Sequence, residues 1–274
     1  MRESVLEKFE RVRREQNSIV MDYADRELKR FYSLDASVYE ENSLPSKTKE
    51  LIGLVTSIVL RCDDCIKYHL IQLFNIGITD DELIEAMTVC MVVGGSITIP
   101  HIRRALVFWD KINQESLQRM KKELAFGKLE RKIDDVLISK KSDFNDILQR
   151  ICRILWKNVD HYDWVGFYMT GDKPDLLELG PFTGAETEHT EIPFGKGICG
   201  QAAAKKETVI VQDVSKIENY LSCSIAVQSE IVAPIIKDGK VIGELDIDSH
   251  SIEPFTEADK VFLEKIAEKV AKIK

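Results

Sequence analysis

The chain has 274 residues, 44% of them hydrophobic and 31% charged, with a formal net charge of -8. That length suits two ordinary domains, and the acidic balance argues against broad contact with a nucleic-acid backbone. Met1-Arg2-Glu3-Ser4 opens no apolar signal core and no apolar run nears the ~20 residues of a membrane span, so a soluble, cytoplasmic chain without nucleic-acid or membrane partners is expected.

Residues 1–125 read as helices throughout. The first is polar and charged, over about 2–35. Ser46 suggests the N-cap of a second, which carries Leu51, Leu54, Val55, Ile58 and Val59 at helical spacing. A third starts near Cys62 and stops at Gly77, a residue suited to a C-cap. Thr79 and Glu82 form a capping box that opens an apolar run from Leu83 to Val93. That run is apolar on most faces, which predicts the buried centre of a bundle. Gly94-Gly95 ends it, and Pro100 suits the first turn of a last helix to about Glu123.

Ala125-Phe126-Gly127-Lys128 marks the boundary, so the expected domains are 1–125 and 126–274. One more helical stretch follows over about 128–159, and then the period changes. Trp164 to Tyr168, Leu176 to Leu179, Thr208 to Val211 and Glu230 to Ile236 read as short strands. Asp238-Gly239 before Val241-Ile242 is a hairpin signal. Thr256, Glu257, Val261, Leu263, Ile266 and Val270 give a closing amphipathic helix. The expected architecture is an all-α bundle followed by an α+β domain with an antiparallel sheet.

Six cysteines in a reducing compartment point to catalysis or metal binding rather than static staples. Cys62 and Cys65 are close enough in sequence to form a disulfide at a helix start, where unpaired N–H groups and the helix dipole favour thiolate. His69 lies one turn beyond Cys65 and can exchange a proton with its thiol. Two alternatives stand beside this: an inert buried pair, and a zinc site of Cys62, Cys65 and His69 with Glu50 or His101 as fourth ligand. Cys90, in an apolar run, and Cys152, on an amphipathic helix, read as structural.

The stretch from about 40 to 110 resembles the alkyl hydroperoxidase D-like branch of the carboxymuconolactone decarboxylase family. The likeness rests on Ser46-Lys47-Thr48-Lys49-Glu50-Leu51-Ile52, on Cys62-x-x-Cys65-x-x-x-His69, and on Gly77, Asp80-Asp81-Glu82 and Gly94-Gly95 in register. It implies that Glu50 and His69 relay protons to Cys65, with Cys62 as the disulfide partner. Asp64 stands where that family often has histidine.

In the second half, Cys199 sits in the glycine-rich turn Gly195-Lys196-Gly197-Ile198-Cys199-Gly200, whose spacing fits neither nucleotide-binding pattern. Cys223 sits in the polar loop Glu218-Asn219-Tyr220-Leu221-Ser222-Cys223-Ser224, a setting that suits a reactive thiol. Asp246 and Asp248 alternate with Leu245 and Ile247, so both point to one sheet face. With Glu230 they form either a solvated face or a ligand site, because like charges repel unless a cation or shared proton relieves them.

From about 128 to 273 the chain resembles the GAF-domain free methionine-(R)-sulfoxide reductases. The matching segments include Trp164-Val165-Gly166-Phe167-Tyr168, Ile192 to Gly200, Ser229-Glu230-Ile231-Val232-x-Pro234 and Gly243-Glu244-Leu245-Asp246-Ile247-Asp248-Ser249. The resemblance implies Cys223 as nucleophile and Glu230, Asp246 and Asp248 as acids that hold the substrate ammonium and protonate the sulfoxide oxygen. It implies Trp164 and Tyr168 as the aromatic wall. His189 stands where the family commonly has a resolving cysteine, which leaves Cys199 or a thiol of the helical domain for that step.

Together the two resemblances imply a fused reductase in which Cys62 and Cys65 pass electrons to the second domain. They imply no cofactor or metal, a thioredoxin-like dithiol donor, and a homo-oligomer. The competing readings are a hydroperoxide reductase with a ligand-sensing second domain, and a regulatory module with no activity of its own.

Overall fold

Asp25 divides the polar N-terminal stretch into two helices, α1 (Val5–Tyr23) and α2 (Arg26–Val38). Ala24 is extended, and the Asp25 carboxylate accepts from the Leu28 N–H at 2.8 Å, so the single helix expected over 2–35 gives way to a local cap. The computed structural model describes residues 3–138, 143–217 and 226–274, and it divides into the units Glu3–Gln118 and Arg119–Lys274.

The first unit continues with α3 (Ser46–Val59), α4 (Asp63–Ile76), α5 (Asp80–Gly94) and the start of α6 (Ile99–Leu137). Pro45, not Ser46, occupies the N-cap of α3, and the Ser46 hydroxyl donates instead to the Tyr39 carbonyl at 2.8 Å. Gly77 caps α4 in the left-handed region at φ 81°, where a side chain would be strained. Thr79 and Glu82 form the expected capping box of α5. Leu54, Ile58, Leu70, Leu73, Leu83, Met87 and Cys90 make the core, each buried side chain contributing ~1.5–3 kcal/mol for the larger residues. The apolar run of α5 does not become a buried centre. Leu83, Met87 and Cys90 face inward at helical spacing, whereas Val89, Val92 and Val93 are 58–79% exposed.

The expected helix break at residues 125–128 is absent, because α6 runs on to Leu137. Phe126, Leu129, Ile133 and Val136 recur at helical spacing and are buried, and Phe126 stacks on Phe262 at 4.2 Å. That packing outweighs the ~1 kcal/mol that Gly127 costs in a helix interior. After α7 (Phe144–Asn158) come β1 (Trp164–Thr170), β2 (Leu176–Thr183), β3 (Glu191–Pro193), α8 (Gly197–Lys205), β4 (Val209–Val211), β5 (Ser229–Lys237), β6 (Lys240–Ser249) and α9 (Glu257–Ile273).

The six strands form one antiparallel sheet in the order β3-β2-β1-β6-β5-β4. Strand β3, only three residues long, was not legible as a strand. Asp238 and Gly239 both have positive φ, 51° and 74°, and join β5 to β6 as the two-residue hairpin expected. One sheet face carries Val165, Phe167, Ile231, Ala233, Leu245 and Ile247 into a core with α6, α7 and α9. In α9 the inward residue is Phe262 at 3% exposure, not its neighbour Val261 at 41%.

Asp259 pins this layer together. Fully buried in the first turn of α9, it accepts from Lys122 of α6, from Tyr162 at 3.1 Å and from the Thr256 N–H and hydroxyl at 2.7 Å, and its Oδ1 lies 3.0 Å from His161 Nε2. Burial pushes its carboxyl up, but His161, Lys122 and Thr256 outweigh burial and hold it at about 2.

Candidate active site

The opposite face of the sheet is polar at its centre, and strand register decides which residues share it. Glu230 pairs with Asp248, Val232 with Asp246 and Pro234 with Glu244 across β5 and β6. Across β1 and β6, Trp164 pairs with Asp248, Gly166 with Asp246 and Tyr168 with Glu244. Paired residues lie on the same side and side chains alternate, so Trp164, Tyr168, Glu230, Glu244, Asp246 and Asp248 all occupy one face. None is solvated: exposure is 2% at Glu230 and 0% at Glu244, Asp246 and Asp248. The reading of a solvated acidic face is thereby excluded.

Helix α8 packs over this face and brings Cys199, itself 4% exposed. Its thiol lies 3.3 Å from Asp246 Oδ2 and 3.6 Å from Glu230 Oε1. The glycine-rich turn serves packing rather than phosphate binding. A Cβ on Gly200 would strike the Pro193 carbonyl, and the Gly195 N–H is taken by the Gly200 carbonyl at 2.7 Å.

Crowded like charges in a dry site favour neutral forms. Burial pushes Glu244 up to about 8; the nearby Cys199 thiol offsets part of that and the Glu230 charge adds to it. No hydrogen bond of good geometry reaches either Glu244 oxygen. Asp246 is pushed well above the usual carboxylate range by burial, and further by Glu230, Asp248 and Glu244. Glu244 escaped the reading of the sequence, although Glu244-Leu245-Asp246-Ile247-Asp248 places three acids at alternate positions.

Of the two aromatics expected to form a wall, Trp164 is seated by missing side chains. The Trp164 ring stacks on Phe182 at 5.5 Å and lies where a Cβ of Gly166 or Gly184 would be. Its Nε1–H donates to the Ala185 carbonyl at 3.0 Å. The Tyr168 hydroxyl donates to the backbone carbonyl of His189 at 2.9 Å, so position 189 meets this side chain through its main chain. Cys223 falls in 218–225, outside the described residues. Cys152 is buried in α7, donates to the Pro181 carbonyl at 3.4 Å and is pushed up by burial, which suits a structural thiol.

In the first unit, Cys62 and Cys65 are joined in a disulfide at the start of α4. Cys62 is the N-cap, and its sulfur accepts from the Cys65 N–H at 3.3 Å. Glu50 of α3 and His69 of α4 are buried and paired, with His69 Nδ1 2.6 Å from Glu50 Oε2. Gly53 makes room for that pair, since a Cβ there would lie 2.5–2.9 Å from the His69 ring. Asp63, next to Cys62, accepts from Arg104 at 3.0 and 3.1 Å and lies 2.8 Å from His101 Nδ1. Its charge is therefore compensated and does not stand free against a Cys62 thiolate. With the two sulfurs bonded to each other, Glu50 held by His69 and His101 held by Asp63, the four-ligand zinc arrangement is not assembled.

Residues 26–107 match the carboxymuconolactone decarboxylase family and residues 141–273 match the GAF domain. The chain is 47% identical over 112 residues to the free methionine-R-sulfoxide reductase of Saccharomyces cerevisiae, covering 40% of this chain and 62% of that protein's length. It is 32% identical over 139 residues to the Escherichia coli protein of the same name, covering 51% of this chain and 82% of that one. The X-ray structure of free methionine-R-sulfoxide reductase from Neisseria meningitidis in complex with its substrate superposes with a TM-score of 0.52 at 36% identity, over 56% of this chain and 89% of that one.

Proposed function

This chain belongs to the carboxymuconolactone decarboxylase family over residues 26–107 and to the free methionine-R-sulfoxide reductases of the GAF domain family in its second half, and on that premise we propose that it reduces free methionine-(R)-sulfoxide to methionine. The observation that carries this reading is a buried thiol, Cys199, set on Glu230 and Asp246, on a sheet face that also presents Trp164 and Tyr168.

In the proposed cycle the Cys223 thiolate attacks the sulfoxide sulfur, a neutral carboxyl protonates the oxygen, and the sulfur–oxygen bond breaks. The attack joins Cys223 Sγ to the methionine sulfur and the protonated oxygen leaves as water; water then attacks Cys223 Sγ, the sulfur–sulfur bond breaks, methionine departs with its electron pair, and Cys223 is left as sulfenic acid. The Cys199 thiol then condenses with it, forming a disulfide and releasing water. Glu230, Asp246 and Asp248 hold the substrate ammonium, whose charge relieves their mutual repulsion. Trp164 and Tyr168 pack the thioether. The raised carboxyls of Glu244 and Asp246 suit proton donation at neutral pH. The test is methionine release from the separated sulfoxide epimers with a thiol reductant present. The free R epimer is expected to be turned over, and the S epimer and the N-acetylated R sulfoxide hardly at all. Equal turnover of the N-acetylated compound would remove the role given to the acids.

The finer part of the proposal concerns electrons. Cys62 and Cys65 act as a built-in dithiol that reduces the disulfide of the second unit, and the tether keeps donor and acceptor at high effective concentration. Thiol exchange needs a thiolate attacker and a proton for the leaving sulfur, a task suited to His69 beside Glu50. Cys65→Ser is expected to spare the first turnover and to slow steady-state reduction by a thioredoxin-like donor. A small thiol at high concentration should partly restore the rate. An unchanged rate with the protein donor would end the relay and leave peroxide reduction as the role of the first unit. The cycle calls for a reducing compartment, and we place the chain in the cytoplasm. Among the described residues no helix is long and apolar enough to cross a membrane. A second copy of the chain is the proposed cover for the exposed Val89, Val92 and Val93 stripe of α5, and a monomeric mass by light scattering would dismiss it.

A further inference from the structure

The acidic face of the second unit holds more ligand atoms than one ammonium group can use. Cys199 Sγ, a Glu230 oxygen and an Asp246 oxygen all lie within 4.8 Å of one another. The two sulfur–oxygen separations, 3.3 and 3.6 Å, match the edge of a zinc tetrahedron. Bond lengths of ~2.3 Å to sulfur and ~2.1 Å to oxygen give an edge of about 3.6 Å. A second observation points the same way. Asp246 is fully buried, and its second oxygen, Oδ1, has no hydrogen-bond partner. A buried carboxyl in that condition is costly unless something binds it.

We propose that Cys199, Glu230 and Asp246 form a site for a divalent zinc-class ion, and that this ion and the sulfoxide substrate exclude each other. Only the exclusion rests on the reductase reading; the metal site does not. The donor set selects the ion. A thiolate among carboxylates favours zinc over magnesium or calcium, which take oxygen ligands alone. Binding exchanges the thiol proton of Cys199 for the ion, with no change of oxidation state. It also ties up the thiol assigned to disulfide formation, so the loaded protein is held reduced and idle. Zinc would thus act as a reversible inhibitor that protects Cys199 from oxidation.

The experiment uses the full-length chain with Cys62→Ser and Cys65→Ser, which removes the competing thiol pair. Cobalt(II) is titrated into the reduced protein, and the near-ultraviolet thiolate-to-cobalt absorption band is followed. One equivalent is expected to give the band, and Zn2+ to displace it. Cys199→Ser should abolish the band. Glu230→Gln and Asp246→Asn should keep it and weaken cobalt binding roughly ten- to hundredfold, which also guards against a misfolded serine variant. Absence of the band, its survival in Cys199→Ser, or unaltered affinity in both amide variants would overturn the site. Adding free methionine-(R)-sulfoxide should bleach the band. If the band forms with the expected variant pattern and sulfoxide leaves it unmoved, the metal site stands and the exclusion falls.

Discussion

Cys223→Ser is expected to abolish methionine formation from the free R sulfoxide, even in a single turnover without recycling reductant. An alcohol at neutral pH is a far poorer nucleophile than a thiolate, and losing the nucleophile of a covalent mechanism costs several orders of magnitude. Cys199→Ser should behave differently. It should still release about one equivalent of methionine per chain, because the attack on sulfur precedes its step, but it should form no disulfide with Cys223. Rapid-quench product analysis with mass mapping of the oxidised protein separates the two. Single-turnover methionine from Cys223→Ser would transfer the nucleophile to Cys199, the buried thiol already in contact with Glu230 and Asp246. A Cys223 disulfide to Cys62 or Cys65, with none to Cys199, would make the first unit the direct resolving partner.

The second large effect is on stability. Asp259→Asn should destabilise the second unit by about 2–3 kcal/mol near neutral pH. It removes the charge and turns one of the two acceptor oxygens that serve Lys122, His161, Tyr162 and Thr256 into an amide donor. The pH dependence follows from the sign of the shift. The folded carboxyl is held at about 2 against an ordinary 3.8, so the unfolded chain takes up a proton first as pH falls. The stabilisation is complete above the ordinary value and is lost as pH drops toward about 2. Nearly two units correspond to about 2 kcal/mol. Urea denaturation of wild type and variant should show a constant gap above about pH 5 that narrows below about pH 4. A gap that stays constant into the acid range would mean that the loss comes from packing, not charge.

Much of this chain is legible in its sequence. The capping box at Thr79 and Glu82, the glycine stop at Gly77 and the Asp238-Gly239 hairpin are local signals, each closed within a few residues, and each stands in the structure. The helical and α+β halves also followed from the change of period near residue 160. Local competition explains two misses: Asp25 offered a cap inside an expected helix, and Ser46 gave its hydroxyl to Tyr39 instead of capping α3.

What the sequence determined by itself was therefore periodicity, turn chemistry and the candidate site residues: Cys62, Cys65 and His69 by spacing, and Asp246 and Asp248 by alternation. Only the tertiary structure decided which of them meet. Strand register set Glu230 across from Asp248, and α8 carried Cys199 onto Asp246 from 47 residues away. The same packing dried out the face: acids that spacing alone left open between a solvated face and a ligand site are buried, and the carboxyls of Asp246 and of Glu244, which spacing did not single out, are raised. Packing also kept α6 helical through Gly127 and left the outer stripe of α5 exposed. Burial and long-range pairing depend on what lies opposite a residue, and one-dimensional spacing carries no record of that.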